Sequence, residues 1–475
     1  MTIKDHLDLV RRLAHAEGSE RETVVKEVSE RTRTLVELTG RGLQLAEADL
    51  GGLDLTGADL RRATLNRAIL HGTCLRDADL GEVTMVCPGM ERTNLSGASL
   101  RSAYVHALAA QTCVFDGADL TGLRDATGTL FHGCSMRGAR LGESHLAGSA
   151  FYQCDLSGAT FRRANLQGAV LNECLLDEAV LDEACVDQLT VTKTSMRGAS
   201  LARSTGRGVV LQRITVGDGL VLTGAGLAEL RLDGVRGHDW RARGLRAPGA
   251  DLVDVSVTGM DLREADLTGS RLRNCDLPEA DLTGAVLNDG KVSGSRLRGA
   301  RLSGAHGENL HLVESDLSEA DLSGFTGRCL TARDVNLTGA NLRNANLYRA
   351  MLTGDPPRGM SLRGADLENA TLVQAYLAAD LREARLIGAN CAYSRFSQSD
   401  LSGALLNGAA MYQSTWVKVT LHGATLTGLQ APVFVDRCAG LEEALESGGG
   451  AGTAEFTRFT GGLAALLAGV RKGST

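Results

Sequence analysis

Four cysteines form the sharpest local pattern in the sequence. Cys134, Cys154 and Cys174 are twenty residues apart, and Cys113 precedes Cys134 by twenty-one. Clustered thiolates are what a zinc site needs, because the ionised sulfur is a strong ligand for that metal. A spacing of twenty argues for something else. In a chain that coils once per twenty residues, equivalent side chains stand parallel in one column. A straight column cannot form the tetrahedron that zinc prefers. It allows the Cα distances of a disulfide but not the side-chain directions. These residues read as a buried, reduced ladder of small apolar thiols, and no metal or other cofactor is expected.

Charged clusters come next. Glu173, Asp177, Glu178, Asp182, Glu183 and Asp187 are six acids with no base among them. They form either a docking patch for a basic partner or a solvated band around one coil. Lys291, Arg296, Arg298 and Arg301 form a basic band, and Arg231, Arg236, Arg241, Arg243 and Arg246 form another around Trp240. Both read as a solvated or inter-coil charge pattern rather than a phosphate site, and in the second band Asp233 and Asp239 cut the local potential. The sequence contains no phosphate-binding loop, no G-x-S-x-G elbow, no H-E-x-x-H and no EF-hand loop. The ten histidines are scattered. No catalytic set emerges, and the chain reads as a non-enzyme.

The element that must position these residues is a five-residue beat. Leucine falls at Leu50, Leu55, Leu60, Leu65, Leu70, Leu75 and Leu80, and the beat continues with slips to about Leu426. On an α-helix, steps of five would spiral leucines around every face. On a flat strand they would alternate between faces. A chain that turns a corner every five residues buries them all, and four corners close a coil of twenty. Gly makes up 58 of the 475 residues, well above an average near 7%, as such corners demand.

Ala58-Asp59-Leu60, Ala265-Asp266-Leu267, Ala280-Asp281-Leu282, Ala320-Asp321-Leu322 and Ala340-Asn341-Leu342 resemble the signature of the pentapeptide-repeat family. The resemblance covers about four-fifths of the chain and implies an all-β solenoid, a right-handed quadrilateral β-helix. Some members of that family resemble duplex DNA in width and negative charge and occupy the DNA-binding saddle of DNA gyrase. In those members a C-terminal element makes a head-to-head dimer.

Five segments are expected. Residues 1–40 lack the beat and carry two amphipathic stripes, which read as helices capping an open solenoid end. Residues 41–202 form a first repeat block, with a one-residue slip between Leu130 and Met136. Residues 203–250 are an irregular junction. Residues 251–430 form a second block, with a surface corner at Pro356–Pro357 and a one-residue deletion between Leu377 and Leu381. In the helical tail 431–475, Phe456, Phe459, Leu463, Leu466 and Val470 make a stripe spaced 3, 4, 3 and 4. This stripe either caps the last coil or builds a homodimer.

Net charge is −7, which argues against direct nucleic-acid binding. The N-terminus has no signal-peptide core and no apolar run is long enough to span a bilayer. The expectation is a cytoplasmic protein with no membrane contact. Two functions stay open. One is a protein-binding scaffold. The other is a DNA mimic that inhibits or protects DNA gyrase and confers resistance to fluoroquinolones. Continuous acidity along one face separates them.

Overall fold

The computed structural model describes residues 42–215, 217–355, 359–430, 432–447 and 456–458, together with Arg12 and Thr23, each in helical conformation. The helices expected over 1–40 otherwise lie outside the described residues, as do Pro356 and Pro357.

One repeat shows how the fold arises. In Ala58-Asp59-Leu60-Arg61-Arg62, Ala58 and Leu60 point inward and are 0% and 4% exposed. The Leu60 carbonyl accepts the Ala63 amide at 3.1 Å and closes a tight turn. Arg62, third in that turn, has φ 58°, the conformation that favours Gly or Asn. Asp59 Oδ1 accepts the Arg61 amide at 3.2 Å, an Asx turn that explains why Asp and Asn precede the leucine. The remaining backbone groups face the following coil: the Leu60 amide donates to Asp79 O at 2.7 Å, and the Asp79 amide to Ala58 O at 2.9 Å. Repetition of this scheme gives a parallel β-solenoid of four-sided coils.

The chain divides into two compact units, Met1–Ala247 and Pro248–Thr475. In the first, one side is built from three-residue strands, among them Ala109–Gln111, Leu130–His132, Ala150–Tyr152, Val170–Asn172, Thr190–Thr192 and Val210–Gln212, each paired in parallel with the next. Its core stacks Phe131 on Phe151 at 4.9 Å, with Phe115 and Phe161 edge-on. The stretch after residue 202 keeps the ladder: Val210–Gln212 pairs with Thr190–Thr192 and with Arg231–Asp233.

The one-residue slip lies earlier than the sequence suggests. Leu123 and Ala126 are both inward, and the extra residue is Asp125, with φ 51°. It is too polar for a centre position and instead accepts from Tyr104 Oη at 3.0 Å. Leu130 therefore points outward, and Phe131 takes the core.

In the second unit a comparable ladder runs from Asp251–Val253 through Lys291–Ser293 and Met351–Thr353 to Val433–Asp436. Leu352 pairs with Leu377 at an offset of twenty-five, so this turn of the ladder holds five residues more than the usual twenty. Leu377 pairs with Phe396 at nineteen, where the deletion is expected. A seven-residue helix, Leu441–Ser447, buries Leu441 and Ala444, and Glu443 Oε2 meets His422 Nδ1 at 2.9 Å.

Phe456–Arg458 differs from expectation. It is a strand, not the first turn of a helix, and pairs in parallel with Val433–Val435. The open edge of that strand offers unpaired backbone groups, and satisfying them outweighs a helical spacing. Phe459, Leu463, Leu466 and Val470 lie outside the described residues.

Candidate functional site

The interior of each coil is filled, so the chemistry available to a partner is on the outer faces. Two positions per side project outward, one on either flank of each inward Leu.

The six acids do not converge. Asp177, Asp182 and Asp187 follow Leu176, Leu181 and Val186 at successive corners, and Glu173, Glu178 and Glu183 occupy corner positions with φ between 56° and 60°. Five of the six are bound to adjacent coils. Glu173 accepts from Gln153 Nε2 and Lys193 Nζ, each at 3.1 Å, and these contacts hold its carboxyl below the usual range. Asp177 accepts from Ser195 Oγ and from the Arg197 amide. Asp182 accepts from Ser200 Oγ at 2.5 Å and the Ala202 amide at 3.0 Å, and Asp187 from the Arg207 amide at 2.8 Å. Glu183 sits among Arg162, Arg163 and Arg203 at 2.8–3.0 Å. The hydrogen bonds from Arg162 and Arg163 push its carboxyl down to about 2. Glu178 is exposed. The arrangement staples coils together more than it presents a charged patch.

Cys113, Cys134, Cys154 and Cys174 are buried and free. Each Sγ donates to backbone carbonyl oxygen, for example Cys154 to Tyr152 at 3.3 Å and to Phe131 at 3.5 Å. Contact with neighbouring thiols, and then burial, raises Cys113 and Cys154 above the ordinary thiol range, while contact with those same two thiols lowers Cys134 and Cys174. Burial alone pushes Cys391 up to about 12. All four ladder cysteines are at most 2% exposed, so a reagent cannot reach their sulfurs in the folded chain. Native-state alkylation should therefore modify the exposed Cys87 and Cys329 and spare these four until the protein is denatured. Rapid labelling of any of the four in native protein, or stoichiometric zinc in the purified chain, would contradict the ladder.

One outer face was not singled out by any motif. On the first unit's strand side, the residues preceding the inward centres run in register as Ile69, Gly89, Ala109, Leu130, Ala150, Val170, Thr190 and Val210. From Ala109 onward the residues following the centres are Gln111, His132, Tyr152, Asn172, Thr192 and Gln212. Neither run contains a Lys, Arg, Asp or Glu. Ile69 and Leu130 are each 39% exposed and Tyr152 is 38%. At about 4.8 Å per strand, eight strands give a strip about 34 Å long, and a three-residue strand makes it about 10 Å wide. The signal was present in the sequence, in outward positions read every twenty residues.

The face opposite the strip is charged and internally paired. Asp59, Asp79, Ser99, Asp119 and Arg140 are consecutive bridge partners. Arg61 reaches Asp59 at 2.6 Å and Asp79 at 3.6 Å, and Arg101 reaches Asp119 at 3.1 Å. In the second unit Asp261, Asp281, Arg301, Asp321 and Asn341 form the equivalent column. Arg263 binds Asp261 at 2.7 Å, and Arg301 lies 4.0 Å from Asp281. No helix among the described residues is long and apolar enough to cross a membrane.

A family model described as pentapeptide repeats matches eight copies, over residues 44–81, 127–163, 161–198, 250–289, 292–325, 333–354 and 379–415, together about half of the chain. No curated protein matches. Among solved structures, the chain is similar to HetL, a pentapeptide repeat protein involved in heterocyst differentiation regulation from the cyanobacterium Nostoc sp. strain PCC 7120. The match is 28% identical over 49% of this chain and 87% of that one, with a TM-score of 0.18. It is also similar to QnrB1, a plasmid-mediated fluoroquinolone resistance protein, at 21% identity over 40% of this chain and 96% of that one, with a TM-score of 0.23.

Proposed function

Because this chain belongs to the pentapeptide-repeat family, we propose that it works without catalysis, as a protein-binding scaffold whose docking surface is the uncharged strip from Ile69 to Val210. The strip carries the reading: from Ala109 onward its outward positions lack the formal charges that the other faces hold, and Glu91 is the one acid beside its earlier strands. A strip of about 340 Å² is less than half the roughly 800 Å² per partner of a stable protein interface, so it is too small to hold a second copy by itself. Its width matches the 10–12 Å diameter of an α-helix, and its length that of about 22 helical residues. The occupant is the apolar stripe of a partner's amphipathic helix, laid along the solenoid axis.

The pairing of acids with arginines weighs against a DNA mimic. Duplex DNA carries one charge per about 1.7 Å of axis. Here the most acidic column of the first unit is spanned by Arg61 and Arg101 and ends at Arg140. The reading places the chain in a reducing, cytoplasmic compartment, where exposed thiols such as Cys87 stay free.

A photo-crosslinking residue at Val170 should capture a partner through the apolar side of a helix. Leu130→Lys combined with Ala150→Lys should abolish capture while leaving the melting temperature within about 2 °C, since surface substitutions cost little. Unchanged capture by the double variant would overturn the strip as the docking surface. Inhibition of gyrase supercoiling, or relief of drug-stabilised cleavage, by the purified protein would overturn the scaffold reading in favour of the mimic.

A further inference from the structure

In the second unit, four of the chain's six tyrosines fall between residues 348 and 412. The fold gathers them at one corner of successive coils. The corner positions Arg349, Gln374, Tyr393 and Gln413 stack directly, each amide reaching the next coil: Arg349 to Val373 O, Gln374 to Ala392 O and Tyr393 to Tyr412 O, at 2.8–3.0 Å. Tyr348 and Tyr412 lie on the face before this corner. Met351, Tyr376 and Arg395 lie on the face after it, where Met351 pairs with Tyr376 and Tyr376 with Arg395.

The corner has the composition of a recognition surface. Tyr393 and Tyr412 meet edge to face at 5.6 Å and are 51% and 45% exposed, and Met351 is 50% exposed. Rigid, exposed aromatics with Met and Arg beside them are enriched at protein interfaces. The charge at the corner has one sign. Over the four coils that begin at Asn346, Thr371, Asn390 and Ala410, the outward positions of both faces and the corner contain no Asp or Glu, and their charged members are Arg349 and Arg395.

Those two arginines are held differently from their neighbours. Arg343, Arg363, Arg382 and Arg385 are all in ion pairs with carboxylates of 2.6–3.6 Å. Arg349 and Arg395 have no ion pair among the described residues. They lie over rings instead, Arg349 at 5.7 Å from the centre of Tyr348 and Arg395 at 5.8 Å from that of Tyr376. The Nε of Arg395 is buried without a hydrogen-bond partner among the described residues. A guanidinium fixed on an aromatic face keeps its in-plane donors free for a carboxylate, and little side-chain freedom is lost when one binds.

We infer that this tyrosine–arginine corner, around Tyr348, Arg349, Tyr376, Tyr393, Arg395 and Tyr412, is a second docking surface, and that it takes an acidic peptide segment of a partner protein. Carboxylates bind Arg349 and Arg395, and apolar or aromatic side chains of the segment pack on Met351 and the exposed rings. The inference is independent of the uncharged strip in the first unit, which offers no charge to an acidic ligand.

The test is fluorescence anisotropy with the full chain and a labelled peptide of alternating Glu and Leu. Binding should weaken with salt, because the pairs are partly exposed. Arg349→Gln combined with Arg395→Gln should weaken it about tenfold or more, and Tyr393→Ala by several-fold, with unchanged melting. Leu130→Lys with Ala150→Lys should leave it intact, which separates failure of this corner from failure of the strip. The inference is overturned if the arginine variant binds the peptide as the parent does, if a Lys–Leu peptide binds equally well, or if a single-stranded oligonucleotide binds more tightly than the acidic peptide.

Discussion

Val292→Asp should collapse the coils around it, whereas Lys291→Asp, one residue away, should be silent. The strand Lys291–Ser293 turns Lys291 outward and Val292 inward, at 4% exposure. Val292 stacks between Leu272 and Leu312 in the neighbouring coils, in an interior lined by leucine with no donor to meet a carboxylate. The substitution loses the burial of Val, about 1.5–3 kcal/mol. It adds a desolvation penalty of several kcal/mol for an unpaired charge. The aspartate would escape part of that penalty by protonating, so the damage should ease as pH falls toward 4. Lys291 lies between Arg271 and His311 on the outer face, where an acid replaces a base among bases. Thermal melts should show a loss of many degrees for the first variant and little change for the second. Because each coil contacts only its neighbours, amide exchange should report the loss first in residues 271–313. Equal melting of the two variants would mean that the inward and outward assignments are wrong.

This contrast was legible in the sequence, because five-residue spacing permits only one side for the leucines. The deletion near Leu377 was legible for the same reason. The insertion was misplaced because Leu130 and Phe131 are both apolar and adjacent, and spacing alone cannot say which faces inward. The part-buried Asp–Ser contacts of the acidic group were not foreseen either, although a period of twenty places Arg163 and Arg203 on either side of Glu183. The uncharged strip and the tyrosine corner escaped notice for a different reason. Both are columns built from one residue per coil, and they are invisible to any search along the chain for contiguous motifs. The strand at Phe456–Arg458 was not legible, since what decides it is an open sheet edge contributed by Val433–Val435.

The stretch around Trp240 lies in the irregular junction 203–250, and there the structure supplies a physical reason for the irregularity with a testable consequence. Most coils place Ala two positions before the inward centre and Leu at the centre. Here the sizes are exchanged. Trp240 and Leu220 occupy the small slots and are 0% exposed, while Gly237 is the middle residue of the strand Arg236–His238, where an inward Leu would stand. A Cβ on Gly237 would come within 2.9 Å of Trp240 Nε1 and 2.8 Å of the Gly217 carbonyl carbon. The indole thus fills volume that the glycines leave open, and the core stays packed although the A-D-L triplet is gone. Trp240→Ala removes the filler while the glycines remain, so no side chain is present to close the cavity. The expected cost is about 3–5 kcal/mol, the range for truncating a large buried aromatic. The indole Nε1 has no hydrogen-bond partner among the described residues, so Trp240→Phe, which deletes that donor and keeps most of the volume, should cost much less than Ala. Gly237→Ala should also destabilise, and Trp240→Ala should relieve it only in part, because the contact with the Gly217 backbone persists. Denaturant melts of these three variants and the double variant form a cycle with a measurable coupling. If Trp240→Ala costs less than about 1 kcal/mol, within the usual spread of surface substitutions and small core trims, the exchanged packing described here is wrong.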